Sequence, residues 1–124
     1  MQAVILAIDD NRQFIDLIKA EFEPQFTVDS AATAEEGLIK AGECRPAIIL
    51  LDINLPGMSG VDFLRQMARK ESLRGIPVLV ITASDYNGVT ESLVRHEPNV
   101  AGFLTKLLPM NTLREKILAS ISAR

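Results

Sequence analysis

Three aspartates lie directly after apolar runs of the chain. Asp9 and Asp10 follow a run of six apolar residues, and Asp52 follows a run of five. If the two runs are neighbouring parallel strands, the three carboxylates meet at one edge of a sheet, and like charges that close require protonation or a bound cation. Oxygen ligands without a nearby His or Cys favour Mg²⁺. An aspartate at a strand end can also cap the next helix, and Asp10 with Asn11 fits that role. The three carboxylates together favour a metal site.

Two further polar residues follow later apolar runs. Thr82 comes directly after Pro77–Ile81, and Lys106 comes shortly after Val100–Leu104. Taken alone, Thr82 is typical of a turn or helix cap, and Lys106 is typical of a solvated surface lysine. Because both lie at the sheet edge that carries the carboxylates, their hydroxyl and ammonium groups are suited to holding the oxygens of a phosphoryl group.

Short apolar runs without alternation predict strands that are buried on both faces, as in a parallel sheet covered by helices. The runs of this kind are Ala3–Ile8, Ala47–Leu51 and Pro77–Ile81. Two weaker strands are predicted at Phe26–Ser30 and Val100–Leu104, whose extra polarity and glycine suit positions nearer the sheet edge. Amphipathic spacing predicts a helix after each strand. A capping box at Thr33 to Glu36 marks the start of the second helix. The predicted helices cover Asn11–Phe22, Thr33 to about Ala41, Val61–Lys70, Tyr86–Glu97, and Met110 or Thr112 to Ser122.

Strict alternation of strand and helix predicts an α/β fold with right-handed crossovers. For five strands we expect the flavodoxin-like, doubly wound parallel sheet, with order 2-1-3-4-5 and helices on both faces. Strands 1 and 3 are then neighbours whose following helices lie on opposite faces. The crevice beyond their carboxyl ends is the expected binding site, and it is the place where the three aspartates end.

Composition narrows the class of protein. A chain of 124 residues suits one domain, 1–124. A net charge of −3 without a block of like charge gives no sign of a nucleic-acid or membrane partner. One cysteine, Cys44, excludes an internal disulfide and fits a reducing compartment. The sequence has no signal-peptide pattern and no long apolar run, so we expect a cytoplasmic protein.

The sequence resembles the receiver domain of two-component response regulators over essentially its whole length. The matching residues are the acidic pair Asp9-Asp10, the specific stretch Asp-x-x-Leu-Pro-Gly-Met-x-Gly over 52–60, Thr82-Ala83, Phe103 and Lys106. The resemblance implies that Asp52 is the phosphoacceptor.

The resemblance also implies roles for the other matching residues. Asp10, Asp52 and the backbone carbonyl of Asn54 would bind Mg²⁺ directly, and Asp9 would hold metal-bound water. Thr82 and Lys106 would contact the phosphoryl group. Phe103 would be an aromatic switch, whose ring moves from an exposed to a buried position when Thr82 engages the phosphate.

The implied function is a phosphorylation switch. A sensor histidine kinase or a histidine phosphotransfer protein would donate the phosphoryl group. The modified domain would change its contacts with a downstream protein target or effector domain, or form a homodimer. The domain would catalyse its own modification without turning over an external metabolite, so it is not classed as an enzyme. The sequence leaves open which kinase, signal and output apply, and whether the chain acts alone or within a longer regulator.

Two features depart from the family pattern. The family usually has proline directly after its lysine, whereas here Lys106 is followed by Leu107-Leu108 and Pro109 comes later. A cis bond before a residue other than proline costs about 2.5–4 kcal/mol, so the family's cis peptide is not expected here. The segment over 86–99 is also longer than usual, which bears on the output surface.

Three alternatives use similar residues. A haloacid-dehalogenase-like phosphatase also has an aspartyl nucleophile, Mg²⁺ and lysine, but needs Asp-x-Asp after its first strand, where this chain has Asp9-Asp10-Asn11. A flavodoxin-like FMN carrier needs a Ser/Thr/Gly-rich phosphate loop at the same place. A degenerate receiver used only for binding would not need all three aspartates.

Overall fold

The computed structural model describes residues 2–83 and 88–123, with the backbone alone described over 88–91. Five strands alternate with five helices along the chain. The strands are β1 Val4–Ile8, β2 Thr27–Ala31, β3 Ile48–Asp52, β4 Val78–Thr82 and β5 Val100–Thr105. The helices are α1 Arg12–Phe22, α2 Ala34–Cys44, α3 Gly60–Arg69, α4 Gly88–Arg95 and α5 Met110–Ser122.

The strands form one parallel sheet in the order β2-β1-β3-β4-β5. This is the predicted flavodoxin-like arrangement, and every predicted strand end lies within one residue of the observed one. β1 and β3 pair directly, with Ile8 beside Leu51 at their carboxyl ends. The switch point of the sheet therefore lies between β1 and β3, as predicted from the sequence.

Two hydrophobic cores cover the two faces of the sheet. On one face α2, α3 and α4 pack on side chains such as Leu6 and Ile49, and on the other α1 and α5 pack on side chains such as Ile5 and Leu50. Burying each such side chain is worth about 1.5–3 kcal/mol. Because both faces are covered, β1, β3 and β4 read as continuous apolar runs with polar residues only at their ends, whereas the edge strand β2 carries Asp29 and Ser30.

Side-chain caps fix where the helices that follow the site loops begin. The Asn11 side chain accepts a hydrogen bond from Phe14 N at 3.2 Å, and the Ser59 side chain accepts one from Asp62 N at 3.1 Å. Thr33 caps α2 in the same way, at 3.1 Å from Glu36 N. These caps satisfy backbone donors that a helix start leaves unpaired.

Two helix ends in the described part of the chain differ from the sequence prediction by two or more residues. α2 continues beyond Ala41 to Cys44, because a residue in the left-handed region, Arg45 with φ 47°, ends it there. α4 ends at Arg95 rather than Glu97, and its predicted start at Tyr86 lies outside the described residues. α5 begins at Met110, the earlier of the two predicted starts, with Pro109 as its N-cap.

The connection between β5 and α5 lacks the cis peptide that the receiver resemblance implied. The Lys106–Leu107 peptide is trans, as expected from the missing proline. Leu107 is 76% exposed.

None of the helices in the described part of the chain has the length and hydrophobicity needed to span a bilayer.

A candidate metal centre at the carboxyl ends of β1 and β3

Three carboxylates meet at the switch point of the sheet. β1 delivers Asp9 and Asp10 just past its last residue, and β3 ends in Asp52. One oxygen from each carboxylate lies within 4.8 Å of the others. Asp9 and Asp52 are 5% and 7% exposed, whereas Asp10 faces solvent. The structure therefore brings together the three aspartates that were predicted to form the site. Asp10 is the one that is exposed to solvent.

Backbone hydrogen bonds hold the two buried carboxylates in place. Asp9 Oδ1 accepts from Asn11 N at 2.8 Å, and Asp52 Oδ1 accepts from Asn54 N at 2.9 Å. Each carboxylate thus has one oxygen engaged by the loop that follows its own strand. These contacts restrict rotation of the side chains and fix the direction of their second oxygens.

Lys106 contacts the second oxygen of both buried carboxylates. Its Nζ lies 2.7 Å from Asp9 Oδ2 and 3.2 Å from Asp52 Oδ2. It also lies 5.0 Å from the centre of the Phe14 ring, within range of a cation–π contact. Lys106 reaches this position because its backbone N donates to Thr82 O at 2.7 Å, directly after β5 pairs with β4.

The pKa values of Asp9 and Lys106 are both raised, for different physical reasons. Burial raises the pKa of Asp9, and the charge of Asp52 adds to that effect, against the opposing attraction of Lys106 and the Asn11 N–H. Burial by itself would lower the pKa of Lys106, but its pairing with Asp9 and the charges of Asp9 and Asp52 outweigh it, so the pKa is raised. The ammonium of Lys106 thus pairs with both buried carboxylates.

The donor set fits a hard divalent cation. Oδ2 of Asp9 is buried and, among the described residues, has no hydrogen bond of acceptable geometry, although Lys106 pairs with it electrostatically. Buried oxygens of this kind are stabilised by a cation. All three side chains offer carboxylate oxygens, which suit Mg²⁺-like ions and not the softer transition metals.

Thr82 makes a contact that the sequence reasoning missed. It is the last residue of β4, beside β3, and is fully buried. The Asn54 side-chain amide donates to Thr82 Oγ1 at 2.9 Å. From the sequence, only the backbone carbonyl of Asn54 was expected to take part in the site. A polar side chain two residues after Asp52, on the loop that leaves β3 beside β4, was the signal available for this contact.

Phe103 is buried in this structure, at 8% exposure. It packs in the core on the α2–α3–α4 face of the sheet, and the Arg95 guanidinium lies 5.9 Å from its ring centre. The expectation that the ring starts in an exposed position is therefore wrong. The physical reason is that the buried Val94 of α4 belongs to the same core, which gives the ring an apolar site on this face.

Comparison with known protein families gives a match over most of the chain. Residues 5–118 match the response regulator receiver domain. The response regulator PleD of Caulobacter vibrioides is 35% identical over 107 residues, which is 86% of this chain and 23% of PleD. The response regulator GacA of Pseudomonas protegens is 28% identical, over 91% of this chain and 53% of GacA. The chain thus spans only part of the length of these relatives.

Solved structures show the same fold. A response regulator receiver domain protein (CheY-like) from Methanospirillum hungatei superposes with a TM-score of 0.86 at 28% identity, over 99% of this chain and 96% of that one. The chemotaxis protein CheY4 of Vibrio cholerae superposes with a TM-score of 0.85 at 22% identity, over 97% and 99% of the two chains. At 22% identity, the similarity to CheY4 supports the fold alone.

Proposed function

The chain belongs to the response regulator receiver domain family, and on that premise we propose that Asp52 accepts a phosphoryl group in a Mg²⁺-dependent reaction. The observation that carries the proposal is the convergence of Asp9, Asp10 and Asp52, with their oxygens within 4.8 Å, beside the ammonium of Lys106. Acidic residues held this close suit a cation, and a cation beside a fixed carboxylate suits phosphoryl transfer.

The proposed metal site consists of Asp10, Asp52 and the backbone carbonyl of Asn54, with Asp9 acting through bound water. When bound, Mg²⁺ supplies positive charge that offsets the carboxylates and the oxygens of an incoming phosphoryl group. Asp52 is fixed for this role because the Asn54 N–H holds its Oδ1 at 2.9 Å. Asp10 is on the solvent side, where a hydrated ion can reach it.

In the proposed reaction a carboxylate oxygen of Asp52 attacks the phosphorus of a phosphohistidine. The new O–P bond forms as the P–N bond to the donor imidazole breaks, and the electron pair of that bond stays on the imidazole nitrogen. Lys106 Nζ, 3.2 Å from Asp52 Oδ2, and the Thr82 hydroxyl stabilise the phosphoryl oxygens. Later attack of water on phosphorus releases inorganic phosphate and restores the carboxylate.

The proposed partners follow from the same chemistry. A sensor histidine kinase or a histidine phosphotransfer protein supplies the phosphohistidine. The phosphorylated domain then alters its contacts with a downstream protein or effector domain, or forms a homodimer. We treat residues 1–124 as a single receiver domain, in the cytoplasm, where the free thiol of Cys44 is stable. Because the domain modifies only itself, it is not an enzyme acting on an external substrate.

Phe103 and Thr82 are the proposed switch residues. Their support is the β4–β5 ladder, in which Val80 lies beside Phe103 and Thr82 lies beside Thr105. Membership of the receiver family disfavours the phosphatase and FMN-carrier alternatives.

Labelling by a small phosphodonor tests the proposal. Purified protein is incubated with acetyl phosphate, with Mg²⁺ or with EDTA, and its intact mass is measured. We expect one added phosphoryl group with Mg²⁺ and none with EDTA. Asp52→Asn should remain unlabelled, whereas Asp62→Asn, a change at an exposed position of α3, should be labelled like the wild type. Equal labelling of Asp52→Asn and the wild type would contradict the proposal.

A further inference from the structure

The hydroxyl of Thr82 is fully buried, and one of its hydrogen-bonding functions is already engaged. Its Oγ1 accepts from the Asn54 Nδ2 amide at 2.9 Å. Among residues 2–83 and 88–123, no acceptor is found for the hydroxyl proton of Thr82. A hydroxyl carries one proton and two lone pairs. Here one lone pair is occupied, and the proton is left without a defined partner in the described part of the chain.

The direction of this hydrogen bond is set by the chemistry of the amide. Nδ2 of Asn54 can only donate, so Thr82 must accept from it. Receiving a hydrogen bond on oxygen also polarises the O–H group and makes it a better donor. The contact thus prepares Thr82 to donate its proton to an acceptor that enters the site.

Asn54 also makes a hydrogen bond to Asp52. The backbone N of Asn54 donates to Asp52 Oδ1 at 2.9 Å. Asn54 therefore uses its backbone amide on the proposed phosphoacceptor and its side-chain amide on the proposed phosphoryl-binding hydroxyl. Because Thr82 ends β4 and Asp52 ends the neighbouring β3, Asn54 links the two residues across the edge of the sheet.

We propose that Asn54 is a positioning residue that presents the Thr82 hydroxyl as a hydrogen-bond donor to the phosphoryl group on Asp52. The proposal rests on the function proposed above. Phosphoryl oxygens are hydrogen-bond acceptors, so a threonine held as a donor matches them. Without the Asn54 amide, the Thr82 hydroxyl loses this polarisation and its fixed position, and it becomes a weaker donor to the phosphoryl oxygens.

A double-mutant cycle over Asn54 and Thr82 tests this link. The probe is beryllium fluoride with Mg²⁺, whose fluorine atoms accept hydrogen bonds as phosphoryl oxygens do, and its affinity is measured by calorimetry. We expect Asn54→Ala and Thr82→Val each to weaken binding about tenfold, the size of a hydrogen bond to a charged group. In the Thr82→Val background, Asn54→Ala should change the affinity by less than about twofold, because the hydroxyl that it positions is gone.

Two controls separate positioning from a structural role. Mg²⁺ alone should bind Asn54→Ala within about twofold of the wild type, because the backbone carbonyl of residue 54 remains. Thr82→Ser keeps the hydroxyl, so Asn54→Ala should retain its full effect in that background. This second cycle keeps the test valid if Thr82→Val fails to fold.

The outcomes distinguish this inference from the proposed function. An Asn54→Ala effect of equal size with and without the Thr82 hydroxyl, or no effect in the wild-type background, overturns the positioning role alone. A wild-type protein that does not bind beryllium fluoride at all rejects the proposed function itself.

Discussion

At the scale of single residues, the site is defined by an imbalance of charge. Asp9 and Asp52 are buried, Asp10 is near them, and Lys106 is the cation that contacts the buried pair. Without a bound cation, such a cluster destabilises the folded protein, since like charges repel and burial removes water from them. Such an arrangement costs folding stability and suits the binding of a cation.

The two aspartates after β1 should contribute unequally to metal binding. Both oxygens of Asp9 already have neighbours, the Asn11 N–H and Lys106, whereas Asp10 faces solvent. We therefore expect Asp10→Ala to weaken Mg²⁺ binding more than Asp9→Ala, whose effect through bound water should be about tenfold. Calorimetric titration of both variants measures this, with Asp62→Asn as a control that binds normally. A larger loss in Asp9→Ala would reverse the two roles.

Neutralising Asp9 should stabilise the metal-free protein. The pKa of Asp9 in the folded state is raised above 3.8, so the folded protein loses stability as pH rises from 3.8 through that higher pKa. Asp9→Asn removes this loss. At neutral pH we therefore expect the free energy of unfolding of the variant to exceed that of the wild type by on the order of 1 kcal/mol. The difference should vanish well below pH 3.8, where the carboxyl group is protonated in both states.

Urea denaturation across this pH range, in EDTA, measures the effect of Asp9→Asn. Asp16→Asn, at an exposed position of α1, serves as the matched control and should change stability by less than about 0.5 kcal/mol. An Asp9→Asn variant that is less stable at neutral pH would mean that attraction to Lys106 exceeds the cost of burial and repulsion.

At the scale of elements, β4 and β5 connect the site to the rest of the domain. Thr82 lies beside Thr105, Val80 lies beside Phe103, and Lys106 N donates to Thr82 O. We therefore expect a displacement of Thr82 toward a phosphoryl group to act on β5 through backbone hydrogen bonds. Phe103 shares its core with Val94 of α4, which gives the displacement a path to that helix.

Binding of beryllium fluoride with Mg²⁺ should shift the amide signals of Phe103 and of Val94 and Arg95 in α4. Because the Phe103 ring is already buried, we expect repacking within the core and not entry from solvent. Thr82→Val should abolish these distant shifts but leave those at Asp10 and Asp52. Two-dimensional NMR of both proteins measures this. Shifts confined to the loops after β1, β3 and β5 would show that the output leaves by another surface.

The sequence predicts the strands of this fold better than the details of its site. Apolar runs such as Ala47–Leu51 mark strands because both faces of the sheet are covered, and the switch point then follows from strand order. The end of α2 at Cys44 depends on the left-handed conformation of Arg45, a residue that does not usually mark a helix end. The Asn54–Thr82 contact joins residues 28 positions apart, so the local sequence marks Asn54 as a polar residue near the site but does not identify its partner.

At the scale of the whole molecule, one sheet with a core on each face holds the site at a single edge. The chain belongs to the receiver family and spans 23% of PleD and 53% of GacA. Those longer relatives have room for further domains, and we propose that the output of this receiver depends on the partner that it contacts. The residues proposed to bind the cation and the phosphoryl group all lie at this one edge of the sheet.

Locating the phosphoryl group on the chain tests the central claim most directly. An aspartyl phosphate is an acyl phosphate, which borohydride reduces to an alcohol, so the modified aspartate becomes homoserine. The protein is labelled with acetyl phosphate and Mg²⁺, reduced, digested and sequenced by mass spectrometry. The account predicts homoserine at position 52, with Asp9 and Asp10 unchanged. Homoserine at either of those positions, or a phosphoryl group that resists reduction because it lies on another side chain, would contradict the assignment of Asp52 as the phosphoacceptor.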